Sequence, residues 1–198
     1  FFVPTRNPLI INGMTTTLRK KVFHVNPNKN DPKPILRSIN ENKGIEFSWS
    51  TWIWINEVSS HEDLLFPKKI FSKGESIEDS SYIIQSNSPK KDFIMNSPGL
   101  YLYDKDTNNS SKNSLSVVLS FFNNNNSNVL ITDESYTEPL YDIINIKNIP
   151  MKKWVNVIIR VQGRIVDIYI NGVLTKRKEY ESVIKQNYGD VFIGSNRN

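Results

Sequence analysis

The sequence predicts an all-β protein folded as an antiparallel two-sheet sandwich, and three observations carry that prediction. The segment Trp154–Tyr180 reads as three consecutive antiparallel strands joined by two tight turns. Elsewhere, short strand-forming runs alternate with Gly, Pro, Asn and Asp, and no 3.6-residue apolar period persists over the length of a helix. The 198 residues include no alanine, so the best helix former is missing while strand-favouring Ile and Val abound.

Within Trp154–Tyr180 the turns are expected at Gln162-Gly163 and at Asn171-Gly172, the latter a dipeptide that tolerates the positive φ angles of a type I′ hairpin. Two-residue loops then put Val155, Val157 and Ile159 on one face with Val166, Ile168 and Ile170. Asn156, Ile158, Arg160, Ile165, Asp167 and Tyr169 take the other face. The same counting sets Lys176 opposite Asp167 with Arg160 on the diagonal, a cross-strand ion pair contributing about 0.2–1 kcal/mol.

Taken in order, Leu9–Met14 and Leu18–Val25 are expected as strands, followed by a loop rich in Pro and Asn from Asn26 to Pro34. Ile45–Asn56 is the longest strand signal. Its odd positions (Ile45, Phe47, Trp49, Thr51, Ile53, Ile55) form an apolar face, and its even face runs from Glu46, Ser48 and Ser50 to Trp52 and Trp54. Further strands are predicted at Ile70–Ser72, Tyr82–Gln85, Leu100–Tyr103, Leu115–Phe122, Val129–Asp133, Tyr141–Ile146 and Val191–Gly194. With no linker and no internal repeat, residues 1–198 are expected to form one domain.

The aromatic-led strand at Trp154, the Gly turn, the pattern Asp167-x-Tyr169-x-Asn171-Gly172 and the basic strand after it resemble the closing strands of concanavalin A-like lectin/glucanase domains of the laminin-G-like type. Gly44–Asn56, Lys69–Gly74, Pro98–Tyr103, Ile146–Trp154 and Gln186–Ile193 extend the likeness in the family's order over about half the chain. The resemblance implies a jelly-roll form of the sandwich, and its flavour is similar to versions found in large DNA viruses. Such domains continue past the Gly189–Ile193 strand with one more closing strand. The end at Asn198 therefore leaves two expectations, a fragment or a last strand supplied from elsewhere. Phe1-Phe2-Val3 reads either as the tail of a removed signal or membrane anchor outside the chain, or simply as the start of the numbering.

Absence of cysteine excludes disulfides and thiolate metal sites. The net charge of +5 is accompanied by scattered basic clusters such as Lys90-Lys91, Lys152-Lys153 and Lys176-Arg177-Lys178. Lysines at strand ends also keep sandwich edges from pairing, and no nucleic-acid motif accompanies them, so nucleic acid is not an expected partner. No apolar run is long enough for a transmembrane helix.

Retaining glycoside hydrolysis needs two carboxyl groups about 5 Å apart. Here the long strand offers only Glu46, the acidic run Glu75-Ser76-Ile77-Glu78-Asp79 is wrongly spaced, and Glu134 and Glu138 flank a turn. His24 and His61 sit in unrelated contexts. An enzyme is not expected. For a metal, Asp104, Asp106 and Asn108 place oxygens at alternate loop positions, as Ca²⁺ prefers. The resemblance implies calcium at a sandwich rim, whereas the plain alternative is a hairpin capped by turn-forming residues. Trp52 and Trp54, with Tyr101 and Tyr103 at the rim, are the candidate sugar-stacking residues if their rings are exposed, and ordinary packing residues if they are covered.

Two functions follow. The first is a non-catalytic, lectin-like surface module that binds a glycan or glycoprotein receptor, on a virion or an extracellular surface. The second is a structural virion component that packs against neighbouring virion proteins without binding glycan.

Overall fold

Alternation along Glu46–Trp54 shows how the sandwich is organised. Even residues face solvent, while Phe47, Trp49 and Ile53 turn inward with flanking Ile45 and Ile55. The computed structural model describes residues 6–36, 38, 44–56, 68–74, 96–102, 113–121 and 141–194. Among these it forms ten strands and no helix: β1 (Lys21–Phe23), β2 (Glu46–Trp54), β3 (Lys68–Gly74), β4 (Asn96–Leu102), β5 (Leu115–Ser120), β6 (Tyr141–Ile146), β7 (Trp154–Gln162), β8 (Ile165–Ile170), β9 (Val173–Glu179) and β10 (Asp190–Ile193).

The strands pair antiparallel throughout, in a six-stranded sheet of order β1-β10-β3-β4-β5-β6 and a four-stranded sheet of order β2-β7-β8-β9. This is the all-β two-sheet sandwich that the sequence predicts. Val157, Ile159 and Ile168 of the smaller sheet share one core with Leu100, Val117 and Leu119 of the larger. Trp49 stacks across the sheets on Phe71 with ring centroids 5.4 Å apart. Burial of each such side chain contributes about 1.5–3 kcal/mol. At one seam, Lys178 Nζ and the Tyr180 hydroxyl both donate to Asp142 Oδ2, at 2.5 and 2.6 Å, tying β9 to β6.

The predicted faces of the closing hairpins hold, but their registers are corrected. The first turn is Gly163-Arg164, with Gln162 opposite Ile165, so Arg160 lies directly across from Asp167. A shift by an even number of residues leaves every side chain on its expected face. Asn171 and Gly172, at φ 50 and 81, form the expected type I′ turn. A bulge at Thr175 then pairs Ile168 with Lys176 and Asp167 with Arg177, so Lys176 does not face Asp167.

Leu9–Met14 is not a strand, and of Leu18–Val25 only Lys21–Phe23 pairs. Adjacent Ile10 and Ile11 both pack against the core, which a pleated strand with alternating sides does not permit. The segment is pinned further on by Gly194. A Cβ there would lie 2.3 Å from the Thr17 carbonyl oxygen. Predicted strands Tyr82–Gln85 and Val129–Asp133 lie outside the described residues.

Candidate functional site

Trp54 ends β2 directly opposite Trp154, which begins β7, and the next pair on the same face is Trp52 with Asn156. All three indoles lie on the outward face of the four-stranded sheet. Trp52 is 63% exposed, Trp54 47% and Trp154 46%. The Trp54 and Trp154 rings meet edge to face, centroids 5.7 Å apart and planes 64° apart. An aromatic pair in this geometry gains about 0.5–1.5 kcal/mol, yet most of the apolar surface stays in water. A cluster of large exposed apolar rings marks an interaction surface.

Hydrogen-bonding groups stand beside the rings. Asn156 is fixed by the second hairpin, its amide N–H donating to Asn171 Oδ1 at 2.9 Å while the Asn171 N–H returns to the Asn156 carbonyl. Its side-chain Nδ2 donates to the Thr51 carbonyl at 3.2 Å and Ser50 Oγ at 3.3 Å. These bonds leave the Asn156 side-chain oxygen and the Ser50 hydroxyl hydrogen uncommitted, on the strand face that carries Trp52. A groove continues from the indoles between β2 and the segment 7–18, lined by Thr15, Leu18, Ser38, Ser50 and Trp52 among others.

Two registers further along the same face, Arg160 and Arg177 close on Asp167, which is only 1% exposed. Arg177 Nε and Nη2 donate to Oδ1 and Oδ2 at 2.6 and 3.0 Å, and Arg160 Nη1 donates to Oδ2 at 3.1 Å. The hydrogen bond from Arg177 outweighs burial and, with Arg160, holds the carboxyl below its usual range. Such a carboxylate is a structural anion, unsuited to acid catalysis.

Tyr101, the other described residue among those predicted for the site, is not brought to the indoles. Tyr101 is 1% exposed, and its hydroxyl donates to Asn96 Oδ1 at 3.1 Å. Burial drives the phenol pKa well above its usual value. The expectation that Tyr101 stacks on a sugar at the rim is corrected: β4 is covered on both faces, so the ring packs inside. Tyr103, Asp104, Asp106 and Asn108 lie outside the described residues. Among the described residues, no group of three or more His, Asp or Glu side chains could hold a metal.

Sequence reasoning treated Trp154 as a strand leader and missed its place in the cluster. The missing information was the pairing of β2 with β7, a contact across about half the chain. His24, expected as an ordinary strand residue, instead bonds through Nδ1 to Asp190 Oδ2 at 2.7 Å, beside the Val25 N–H at 2.9 Å from Oδ1.

The fold and site thus define an antiparallel β-sandwich that presents an indole cluster on its smaller sheet. No family model and no curated protein matches the chain. Among solved structures, it is similar to domain 4 of AbnA, a GH43 extracellular arabinanase from Geobacillus stearothermophilus, solved in complex with arabinotriose. The two are 14% identical over 90% of this chain and 73% of that one, with a TM-score of 0.39.

Proposed function

We propose that this chain is a non-catalytic carbohydrate-binding module, lectin-like in the sense implied by its sequence resemblance, acting on a glycan or glycoprotein receptor at an extracellular surface. The observation that carries the reading is the exposed trio Trp52, Trp54 and Trp154 with Asn156 and Ser50 beside it. The C–H face of a sugar ring is apolar and stacks on an indole, while its hydroxyls need the polar groups at the rim. Against a hydrolase, Asp167 is locked between two arginines. Calcium at Asp104, Asp106 and Asn108, and a contact from Tyr103, remain parts of the proposal.

The test is a glycan array probed with the purified chain in calcium and again in EDTA. Selective binding retained in EDTA supports the indoles alone. Binding lost in EDTA adds the calcium residues, and an empty array on folded protein contradicts the proposal.

One observation favours the second reading, a structural component that packs against other chains, as in a large virus particle. Leu9, Met14 and Leu18 stand exposed along the same groove. That reading predicts self-association or a tight protein partner, with no response to glycans.

A further inference from the structure

Resting on the carbohydrate reading above, we infer that the ligand is a short acidic oligosaccharide. Its apolar faces pack on the indoles, and one of its carboxylates is held by the arginine pair Arg160 and Arg177.

The outward face of the four-stranded sheet leads from one feature to the other in rows. Trp54 with Trp154 is followed by Trp52 with Asn156, then by Ser50, Ile158, Tyr169 and Leu174, then by Ser48, Arg160, Asp167 and Arg177. Successive rows on one face lie about 6.8 Å apart, so the arginine row is roughly 14 Å from the Trp52 row. A few linked sugar rings cover that span. Half-buried Ile158 and Tyr169 and exposed Leu174 continue the apolar floor between the two ends.

The far end of this path suits an anion. Asp167 accepts from both arginines, so two guanidiniums share one carboxylate and one positive charge is left uncompensated. A guanidinium carries five N–H donors. Bonds to Asp167 and Gln162 occupy two on Arg160, and the fork on Asp167 occupies two on Arg177. The remaining donors belong to side chains 40% and 59% exposed. Anchored by a buried partner, the pair is pre-organised for a further carboxylate, which a guanidinium meets in two parallel bonds.

Neighbouring charges set the sign and limit the amount. In the four rows from the indoles to the arginines, buried Asp167 is the only acidic side chain. Exposed Lys152 and Lys153 precede Trp154, and Arg6, Lys68 and Lys69 line the groove beside β2 together with Glu46. Glu46 and Glu179 then occupy the row beyond the arginines. These two carboxylates repel a densely sulfated chain, whose charges would run past them, and favour a sugar with one carboxylate per ring.

The experiment is titration calorimetry of the full chain with uronate oligomers (fragments of polygalacturonate, alginate and hyaluronan), their methyl esters, heparin fragments and polyglutamate. A uronate oligomer is expected to bind, about tenfold or more tighter than its ester, with affinity falling as salt rises. Arg160→Gln leaves the fork of Arg177 on Asp167 in place and should weaken the acid about fivefold while leaving the ester unchanged, with the melting temperature as the check on folding. Esters that bind as tightly as acids, in a Trp52-dependent way, overturn this inference and leave the carbohydrate reading standing. Binding confined to heparin, or matched by polyglutamate, also overturns it. So does a preference for acid that survives Arg160→Gln but is lost in Arg6→Gln or Lys68→Gln, because the anion then sits in the groove. Silence toward all uronates, with other sugars bound on the glycan array, overturns this inference alone, and silence across the whole array overturns both.

Discussion

Arg177 grips Asp167 through both carboxylate oxygens, Nε to Oδ1 at 2.6 Å and Nη2 to Oδ2 at 3.0 Å. This fork exists because the bulge at Thr175 moves β9 one residue out of simple register and replaces Lys176 by Arg177 opposite Asp167. A guanidinium meets a carboxylate in two parallel bonds, which an ammonium cannot do.

Asp167→Asn should therefore destabilise the fold by about 1.5–3 kcal/mol, the usual loss for buried hydrogen bonds to charged groups. Lys176→Ala should stay within about 0.5 kcal/mol of the parent, as for an exposed residue without a special role. Urea unfolding of the two variants decides between this register and the one counted from the sequence. Equal losses would mean that Lys176 is the partner.

That contrast shows what the sequence disclosed. The faces of β7 and β8 were legible because a local hairpin with a short loop fixes parity, and parity survives a register error of two. Tyr141–Ile146 was legible as a short isoleucine-rich, strand-favouring run, and the strand has those bounds. The bulge was not legible, since nothing in Val173–Glu179 marks Thr175 as the unpaired residue. The aromatic site was half legible. Trp52 and Trp54 alternate visibly on one strand, but their meeting with Trp154 is non-local, and exposure cannot be read from a strand alone. Tyr101 failed for the opposite reason: its strand looks half-exposed in sequence and is covered on both sides in the fold.

Lys73 gives an alkaline signature. Its ammonium is buried and donates to the Asn187 carbonyl at 2.7 Å and Asn187 Oδ1 at 3.0 Å. Burial pushes its pKa down to about 8, with Asp190 pulling it part of the way back. From about pH 8 to the unfolded value of 10.5 the unfolded chain binds the extra proton, so this group's contribution to stability rises with pH. Burial raises Tyr101 and Tyr180 above the usual 10.0, so above that pH the unfolded chain is the one that has lost protons and stability falls. Urea midpoints from neutral pH upward should pass through a maximum between these limits. A monotonic fall from pH 8 would contradict the placement of Lys73.

Acid unfolding has its own sign. Burial alone would raise Asp190, but the Val25 N–H, His24 and Lys29 outweigh it and hold its pKa below the usual 3.8. Asp142 is lowered in the same way, with Lys178 and Tyr180 opposing its burial, and Asp167 is lowered by its arginines. A depressed carboxyl contributes stability that is fully present above its unfolded pKa and is lost as pH falls through the folded one. Melting temperature should therefore drop steeply below about pH 4, and Asp190→Asn should flatten part of that limb. An unchanged acid limb in the variant would show that the His24–Asp190 contact carries no stability.

The indoles should separate binding from folding. Trp52→Ala removes a ring that is mostly in water, so stability should move by less than about 1 kcal/mol. Trp49→Ala removes the ring stacked on Phe71 and should destabilise by about 3–5 kcal/mol, as for large core aromatics. Thermal melts of the two variants check the assignment of one tryptophan to the core and its neighbour on the outward face.

The most direct measurement compares the parent chain with Trp154→Ala on the glycans that the parent recognises, with melting temperature recorded alongside. Stacking by Trp154 predicts binding weakened at least about tenfold, one indole being worth roughly 1.4 kcal/mol or more, while the melt barely shifts. Glycan binding that survives the substitution unchanged would contradict the indole cluster as the site.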